Sequence, residues 1–261
     1  MAESQGTEAA TRVADVLLLF TDGPDRLGVT AIARSLDLSK AVVYRILQTL
    51  VERRLLVSDP ASRAYHLGPA AAALGARALR ESQLRSVAMP TLRELHLDTG
   101  ETTTVSARVH GGRVYLDQVE CTREIKMTVE IGRRYPLHAG SSSTCILAFL
   151  PPAEQEAVLS GELPSLTGRT VTDAERLRER LVTIRAEGLA NSEGERQEGA
   201  GSVAAPVFDI DGTVVGAISV CGPAHRVDAA ARERFGPMVR AAADRISRAL
   251  GWSGGLPQDA R

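Results

Sequence analysis

The side chains of this 261-residue sequence that are able to do chemistry do not fall, by spacing, into a catalytic set. Neither Asp209 nor Asp211 is placed beside a His–Ser pair that could include His138. His66, His96, His110, His138 and His225 lie too far apart for a spaced metal motif, and Cys121, Cys145 and Cys221 form no C-x-x-C. No glycine-rich phosphate loop joins a strand to a helix. What remains is binding chemistry in two places. One is a helix start, Ser39–Lys40, followed by Tyr44 and Arg45. The other is the hydroxyl run Ser141–Ser142–Ser143–Thr144, ahead of a helix predicted at Thr144–Leu150, where backbone N–H groups of Ser141 and Ser142 can converge on a carboxylate. Ser219 and Cys221 alternate on a predicted strand and so share a face.

The elements that must position the first group are short helices. In Ser39–Arg53, Val43, Ile46, Leu47 and Leu50 form one apolar stripe, while Ala41, Tyr44, Arg45 and Gln48 form a polar or small one. Ser39 occupies the N-cap position. A shorter helix with Val29, Ile32, Ala33 and Leu36 on one side precedes it, joined by the turn Leu36–Asp37–Leu38. This is the helix-turn-helix pattern, whose second helix enters the DNA major groove; an ordinary αα-hairpin shares the periodicity. The segment LLVSDPASRAYHL then reads as a hairpin turning at Asp59–Ser62, which makes the unit winged and favours DNA binding.

Composition sets the outer bounds. Charged residues at 24% and hydrophobic ones at 44% are ordinary for a globular chain long enough for one large domain or two small ones. The net charge of −1 excludes whole-chain polycation behaviour. Between Arg34 and Leu67, however, six basic residues (Arg34, Lys40, Arg45, Arg53, Arg54, Arg63) face three acidic ones (Asp37, Glu52, Asp59), and phosphate contacts respond to such local charge. Three widely separated cysteines argue against a disulfide framework and for a reducing cytoplasm. No apolar run approaches a membrane span, and MAESQGTEAATR is no secretory leader.

Along the chain, residues up to about Thr11 are expected to be unstructured, with a first helix marked by Val13, Val16, Leu17 and Phe20. Pro69–Ser86 reads as an Ala-rich connecting helix and a candidate dimer contact, with helical character continuing through Leu92, Leu95 and Leu97 to Gly100. TTTVSARV, RVYLDQVE and IKMTVEI read as strands, and Asn191–Gly201 as a polar loop. VAAPVFDI and TVVGAISVCG form a hairpin about Asp211–Gly212. Helices are expected at Ala153–Leu159, Asp173–Glu187 and Ala229–Leu250. Helices flanking a mixed antiparallel sheet give an α+β class.

Several strings taken together, LDLSKAVVYRILQTLVERRLL, YHLG at Tyr65–Gly68, PLHAGSSSTCILAFL, GLANSEGE and SVAAPVFDIDGTVVGAISVCGP, resemble the IclR-type bacterial transcriptional regulators from about Thr11 to Leu250. The resemblance implies a winged helix-turn-helix domain (1–68), a linker helix (69–86), a GAF-like effector domain (87–251) and a disordered tail (252–261). It further implies a dimer or tetramer that binds operator DNA near promoters and needs no cofactor. Ser39, Lys40, Ala41, Tyr44, Arg45 and Arg63 are then the candidate DNA contacts. The effector pocket falls on Met127, Tyr135, Ser141, Ser142, Ser192, Ser202, Ser219 and Cys221, suited to a small organic acid or a related aromatic acid or amide. Two departures stand out. Lys40–Ala41–Val42 replaces the Lys-Ser-Thr of most members, so Ala41 is able to touch a thymine methyl where a hydroxyl would hydrogen-bond, and the operator is expected to differ. Gly140–Thr144 carries more hydroxyls than most relatives do there. The competing classes are an enzyme, which lacks a catalytic set, and a ligand-sensing GAF-like protein without a DNA role, against which the winged front end speaks.

Overall fold

The computed structural model describes residues 7–254, and the described chain divides into two compact units, the first ending at Glu81 and the second beginning at Ser82. In the first unit, α1 (Glu8–Leu19) starts where the Thr7 side chain accepts from Ala10 N, so residues 8–11 are helical rather than unstructured. A short strand, β1 (Leu27–Gly28), leads into α2 (Val29–Ser35), and Asp37, with φ 51°, takes the left-handed turn into α3 (Lys40–Glu52). Val43, Leu47 and Leu50 of α3 are buried with Val16, Phe20, Ile32, Ala33, Leu56 and Tyr65, while Ile46 is only half-buried against them. The wing is β2 (Leu56–Asp59) and β3 (Ala64–Leu67), with β1 added on the other side of β3. Its turn is held by the Asp59 carboxylate, which accepts from Ala61 N (2.9 Å) and Ser62 Oγ (2.8 Å) and pairs with Arg26.

The connecting helix stops sooner than expected. α4 (Pro69–Glu81) ends, and Ser82 adopts an extended conformation in which its side chain accepts from Arg85 N, capping α5 (Gln83–Thr99). Leu84 therefore belongs to the core of the second unit, which starts five residues before the boundary placed at 87. Gly100, at φ 67°, closes α5; Leu92 and Leu95 are buried, and Leu97 faces solvent.

The second unit is a six-stranded sheet in the order β6-β5-β4-β9-β8-β7, and every pairing of these strands is antiparallel. The strands are β4 (Thr102–Val109), β5 (Gly112–Val119), β6 (Arg134–Tyr135), β7 (Ala190–Glu193), β8 (Ala200–Phe208) and β9 (Val214–Pro223). Strand alternation sends Val203, Ala205, Val207, Ile218 and Val220 against α5 and α9 (Ala229–Ala249). Ala204, Phe208 and Ala217 pack instead against α6 (Ser141–Ala148) and α8 (Ala174–Glu187), with α7 (Pro152–Leu159) alongside. Both faces are covered, and each carries its own core.

Four further differences from the sequence expectations have identifiable causes. IKMTVEI is not a strand, because side chains satisfy its backbone: Thr102 Oγ1 donates to Met127 O (2.7 Å), Arg226 Nη2 to Ile125 O (2.9 Å), and the Gln118 amide bonds both backbone groups of Val129 (2.8 and 3.2 Å). The Asn191–Gly201 stretch is not a continuous loop, since Ala190–Glu193 pairs with β8 in the register Ser192↔Ser202. α6 begins at Ser141, three residues early, because Gly140 (φ 88°) supplies the N-cap and every α6 residue is buried. The tail is ordered at its start, where Trp252 packs on Phe208 at 5.8 Å between ring centroids; residues 255–261, and 1–6 at the other end, lie outside the described residues.

Two outcomes follow from the first unit. Leu47→Ala is expected to cost about 2–5 kcal/mol of unfolding free energy, read by denaturant titration, because the cavity opens where α3 meets both other helices. Hydrogen bonds, chiefly from Ser62 and then Ala61, hold the Asp59 carboxyl below its ordinary value. A group so depressed contributes stability above its unfolded pKa and loses it as pH falls through the folded value. Amide-exchange protection in the wing therefore drops below about pH 4, and Ser62→Ala moves that drop to higher pH.

Candidate functional site

The reading face comes directly from the helix geometry of α3. Ser39 Oγ accepts from Val42 N at 3.3 Å, satisfying one of the orphan donors of the first turn. With Val43, Leu47 and Leu50 turned inward, Lys40, Ala41, Tyr44 and Arg45 are left on the outward side, and all four are exposed, Tyr44 at 52%. Neither Lys40 nor Arg45 has an ion-pair partner among the described residues. Arg63 is exposed at the tip of the wing with φ 53°, its N–H bonded to Asp59 O.

On the α6 side of the sheet in the second unit lies a cavity. Seven of the eight expected pocket residues line it: Met127, Ser141, Ser142, Ser192, Ser202, Ser219 and Cys221. Tyr135, the eighth, does not line it; its ring packs edge-on against Tyr115, which does, at 5.5 Å and 71°. The hydroxyls are tied to one another across elements. Ser141 Oγ lies 2.7 Å from Ser202 Oγ, and Thr104 Oγ1 lies 2.7 Å from Ser219 Oγ. Burial pushes the Cys221 thiol up to about 12, partly opposed by Arg196 and Arg113, so it remains a protonated thiol and not a nucleophile. Burial likewise raises the Tyr135 phenol.

The lining also holds residues that motif matching passed over: Arg113, Tyr115, Glu195, Arg196 and Gln197. Arg113, 1% exposed, is the most unusual of them. Its Nε donates to Ser143 Oγ (2.8 Å), Nη1 to Ser106 Oγ (2.9 Å) and Nη2 to Tyr115 Oη (3.0 Å), and its guanidinium carbon stands 4.2 Å from the Tyr115 ring centre. Arg196 lies over Tyr135 at 4.9 Å and Tyr115 at 5.8 Å. Glu195 is already engaged. One carboxylate oxygen pairs with Arg180 Nη1 at 2.8 Å, and the other accepts the Gly140 N–H at 3.3 Å. The start of α6 is thus partly met by the chain's own carboxylate, so its N–H groups do not face an empty anion site by themselves. The signal that locates Arg113 and Tyr115 is their i, i+2 spacing in RVYLDQVE, which puts both on one face of β5. Electrostatically the lining combines two guanidinium groups with one carboxylate that is neutralised elsewhere. Such a site favours an anion.

Among the described residues no group of three or more His, Cys, Asp or Glu side chains could hold a metal ion, and no helix is long and apolar enough to cross a membrane.

Comparison with known proteins places this geometry. Residues 76–248 match the family described as bacterial transcriptional regulator IclR C-terminal, and residues 9–60 match the IclR helix-turn-helix domain. The chain is similar to the glycerol operon regulatory protein of Streptomyces griseus, at 35% identity over 250 residues, covering 95% of this chain and 98% of the relative. It is similar in structure to a putative IclR transcriptional regulator from Silicibacter sp. TM1040, with a TM-score of 0.83 at 28% identity over 95% of this chain and 98% of the other. A second solved structure, an IclR homolog from Microbacterium hydrocarbonoxydans complexed with 4-hydroxybenzoate, matches with a TM-score of 0.68 at 27% identity, over 93% and 99%. The relatives are regulators of transcription rather than enzymes. A helix-turn-helix unit followed by a six-stranded sheet with a polar cavity is therefore not an isolated design: the chain belongs to the IclR family of DNA-binding bacterial transcriptional regulators.

Proposed function

We propose that this protein is a cytoplasmic, ligand-responsive repressor that binds operator DNA as a dimer or dimer of dimers and senses a small organic acid. The observation that carries the ligand half of the proposal is the buried Arg113 guanidinium, which meets neutral hydroxyls and two tyrosine rings. Burying a charge without a counter-charge is costly, and an acid entering the cavity offsets that cost. The bound 4-hydroxybenzoate of the Microbacterium relative supports the same class of ligand. Met127 and Tyr115 supply the less polar walls, and Ser141, Ser142, Ser192, Ser202, Ser219 and Cys221 supply the polar ones.

On the DNA side, Lys40, Ala41, Tyr44 and Arg45 read the major groove, while Ser39 and Arg63 contact phosphates. Support comes from their shared exposure on α3 and the wing tip and from the unpaired charges of Lys40 and Arg45. As a repressor, the protein holds its operator through these cations until the effector binds and releases it. Two copies place two such helices on a pseudo-palindrome. α4 supports this, having no buried residue and leaving Leu74 63% exposed among alanines, a face suited to a second copy. Effector binding acts on DNA affinity only through its differential affinity for the subunit arrangements.

Two measurements test these assignments. In gel-shift titration against duplexes from the upstream region of its own gene, Arg45→Ala is expected to weaken operator binding by about 1–3 kcal/mol and to relax base preference at one position; unchanged affinity removes Arg45 from the contact set. In a thermal-shift screen of small aliphatic and aromatic acids, a binder present at a hundred times its Kd adds about 2.7 kcal/mol to native stability. Ser141→Ala combined with Ser202→Ala is expected to abolish the shift, and a shift that survives the double change moves the ligand elsewhere.

A further inference from the structure

The cavity contains two guanidinium groups and no free carboxylate. Besides Arg113, Arg196 makes no hydrogen bond and no ion pair among the described residues, only the two ring contacts. The carboxylates that come near are committed. Glu195 holds Arg180 and the Gly140 N–H, and Glu101 holds Arg226 (2.6 and 2.9 Å) and Arg123 (3.2 Å). Arg113 uses three of the five N–H groups of a guanidinium on hydroxyls, leaving two. The two guanidinium carbons lie 4.2 Å and 5.8 Å from the centre of the same Tyr115 ring, so they are at most about 10 Å apart. One monoanion neutralises one of them and leaves the other uncompensated beside it.

The size of the site narrows the ligand further. The free volume of about 30 Å³ is roughly two to three times what one water takes on the same measure. That accommodates a short aliphatic skeleton.

We propose that the effector is a short dicarboxylate of roughly two to four carbons, with one carboxylate directed to Arg113 and the other to Arg196. Planar, fork-shaped guanidinium groups match carboxylates in paired hydrogen bonds, so each end of the ligand gains a charge-assisted contact. Arg196 is the specificity-determining residue. It lies on the segment following β7 and stacks on tyrosine, and so costs little to turn toward the ligand. Arg113 is fixed by its three hydroxyl partners and defines where the other end sits. This inference rests on the organic-acid reading above and restricts it to a doubly charged member of that class.

The test is isothermal titration of the full-length protein, in a buffer free of carboxylates and phosphate, with malonate and succinate against propionate, butyrate and the monoamide succinamate. The dicarboxylates are expected to bind about tenfold or more tighter than the length-matched monoamide. Arg196→Gln, whose ligand-free melting temperature checks its fold, is expected to weaken succinate or malonate by about tenfold and to leave succinamate within about twofold; Arg196→Lys restores part of the loss. Succinamate binding as tightly as succinate, or dicarboxylate affinity unchanged in Arg196→Gln, overturns the dicarboxylate proposal while leaving the organic-acid reading standing. If neither dicarboxylate nor monocarboxylate binds, both fall.

Discussion

A guanidinium group buried to 1% exposure and met by Ser106, Ser143, the Tyr115 hydroxyl and the rings of Tyr115 and Tyr135, with no carboxylate among these contacts, is the constraint around which the second unit is built. Hydrogen bonds to neutral oxygens lower the cost of burying that cation but do not cancel its charge. The structure meets this demand from several elements at once. β4 contributes Ser106, β5 contributes Arg113 and Tyr115, and the first turn of α6 contributes Ser143, which is why α6 must begin at Ser141 and lie wholly buried on this face. The strands alternate so that the opposite face carries Val105, Val203, Ile218 and Val220 against α5 and α9. One face is a conventional apolar core, and the other is an apolar core with a charged, hydroxyl-lined vacancy at one end.

The first unit solves the complementary problem of keeping charge outside. α3 places Val43, Leu47 and Leu50 in the core and leaves Lys40, Tyr44 and Arg45 in solvent, so of the residues that contact DNA in the proposed function these three lie outside the core, while Ser39 also caps the helix. The wing is braced instead by Asp59, whose carboxylate closes its own turn and pairs with Arg26. Apart from Ser39, the α3 residues proposed to read DNA are thus distinct from those that form the core of this small unit.

How much of this is readable from the sequence depends on whether a pattern has one physical meaning. The 3.6-residue stripe of α3 with Ser39 as its cap does, as does the Asp211–Gly212 hairpin, and both stand where expected. The pocket hydroxyls on β8, β9 and α6 follow from family motifs and come together in space. Arg113 does not, because RVYLDQVE shows Val114 and Leu116 on one face and a charge with an aromatic on the other. That pattern normally means a solvent-facing side, but here α6 covers it. IKMTVEI has β-branched composition, yet Thr102, Gln118 and Arg226 satisfy its backbone from outside, information that lies far away in the chain. The polar start of Asn191–Gly201 hides an edge strand, where polar residues are normal. Ser82 is a cap that helical runs on both sides obscure.

In the proposed function a ligand cavity and a DNA-reading helix share one polypeptide, and coupling between them must be reciprocal: whatever factor the ligand imposes on DNA affinity, DNA imposes on ligand affinity. The direct measurement is the ligand dissociation constant of the full-length protein, determined once alone and once saturated with its operator duplex. Coupling of the size usual for such regulators predicts that operator DNA weakens ligand binding about 5- to 150-fold, by the same factor that the ligand weakens operator binding. Identical ligand affinity with and without operator, in a protein that demonstrably binds both, contradicts it.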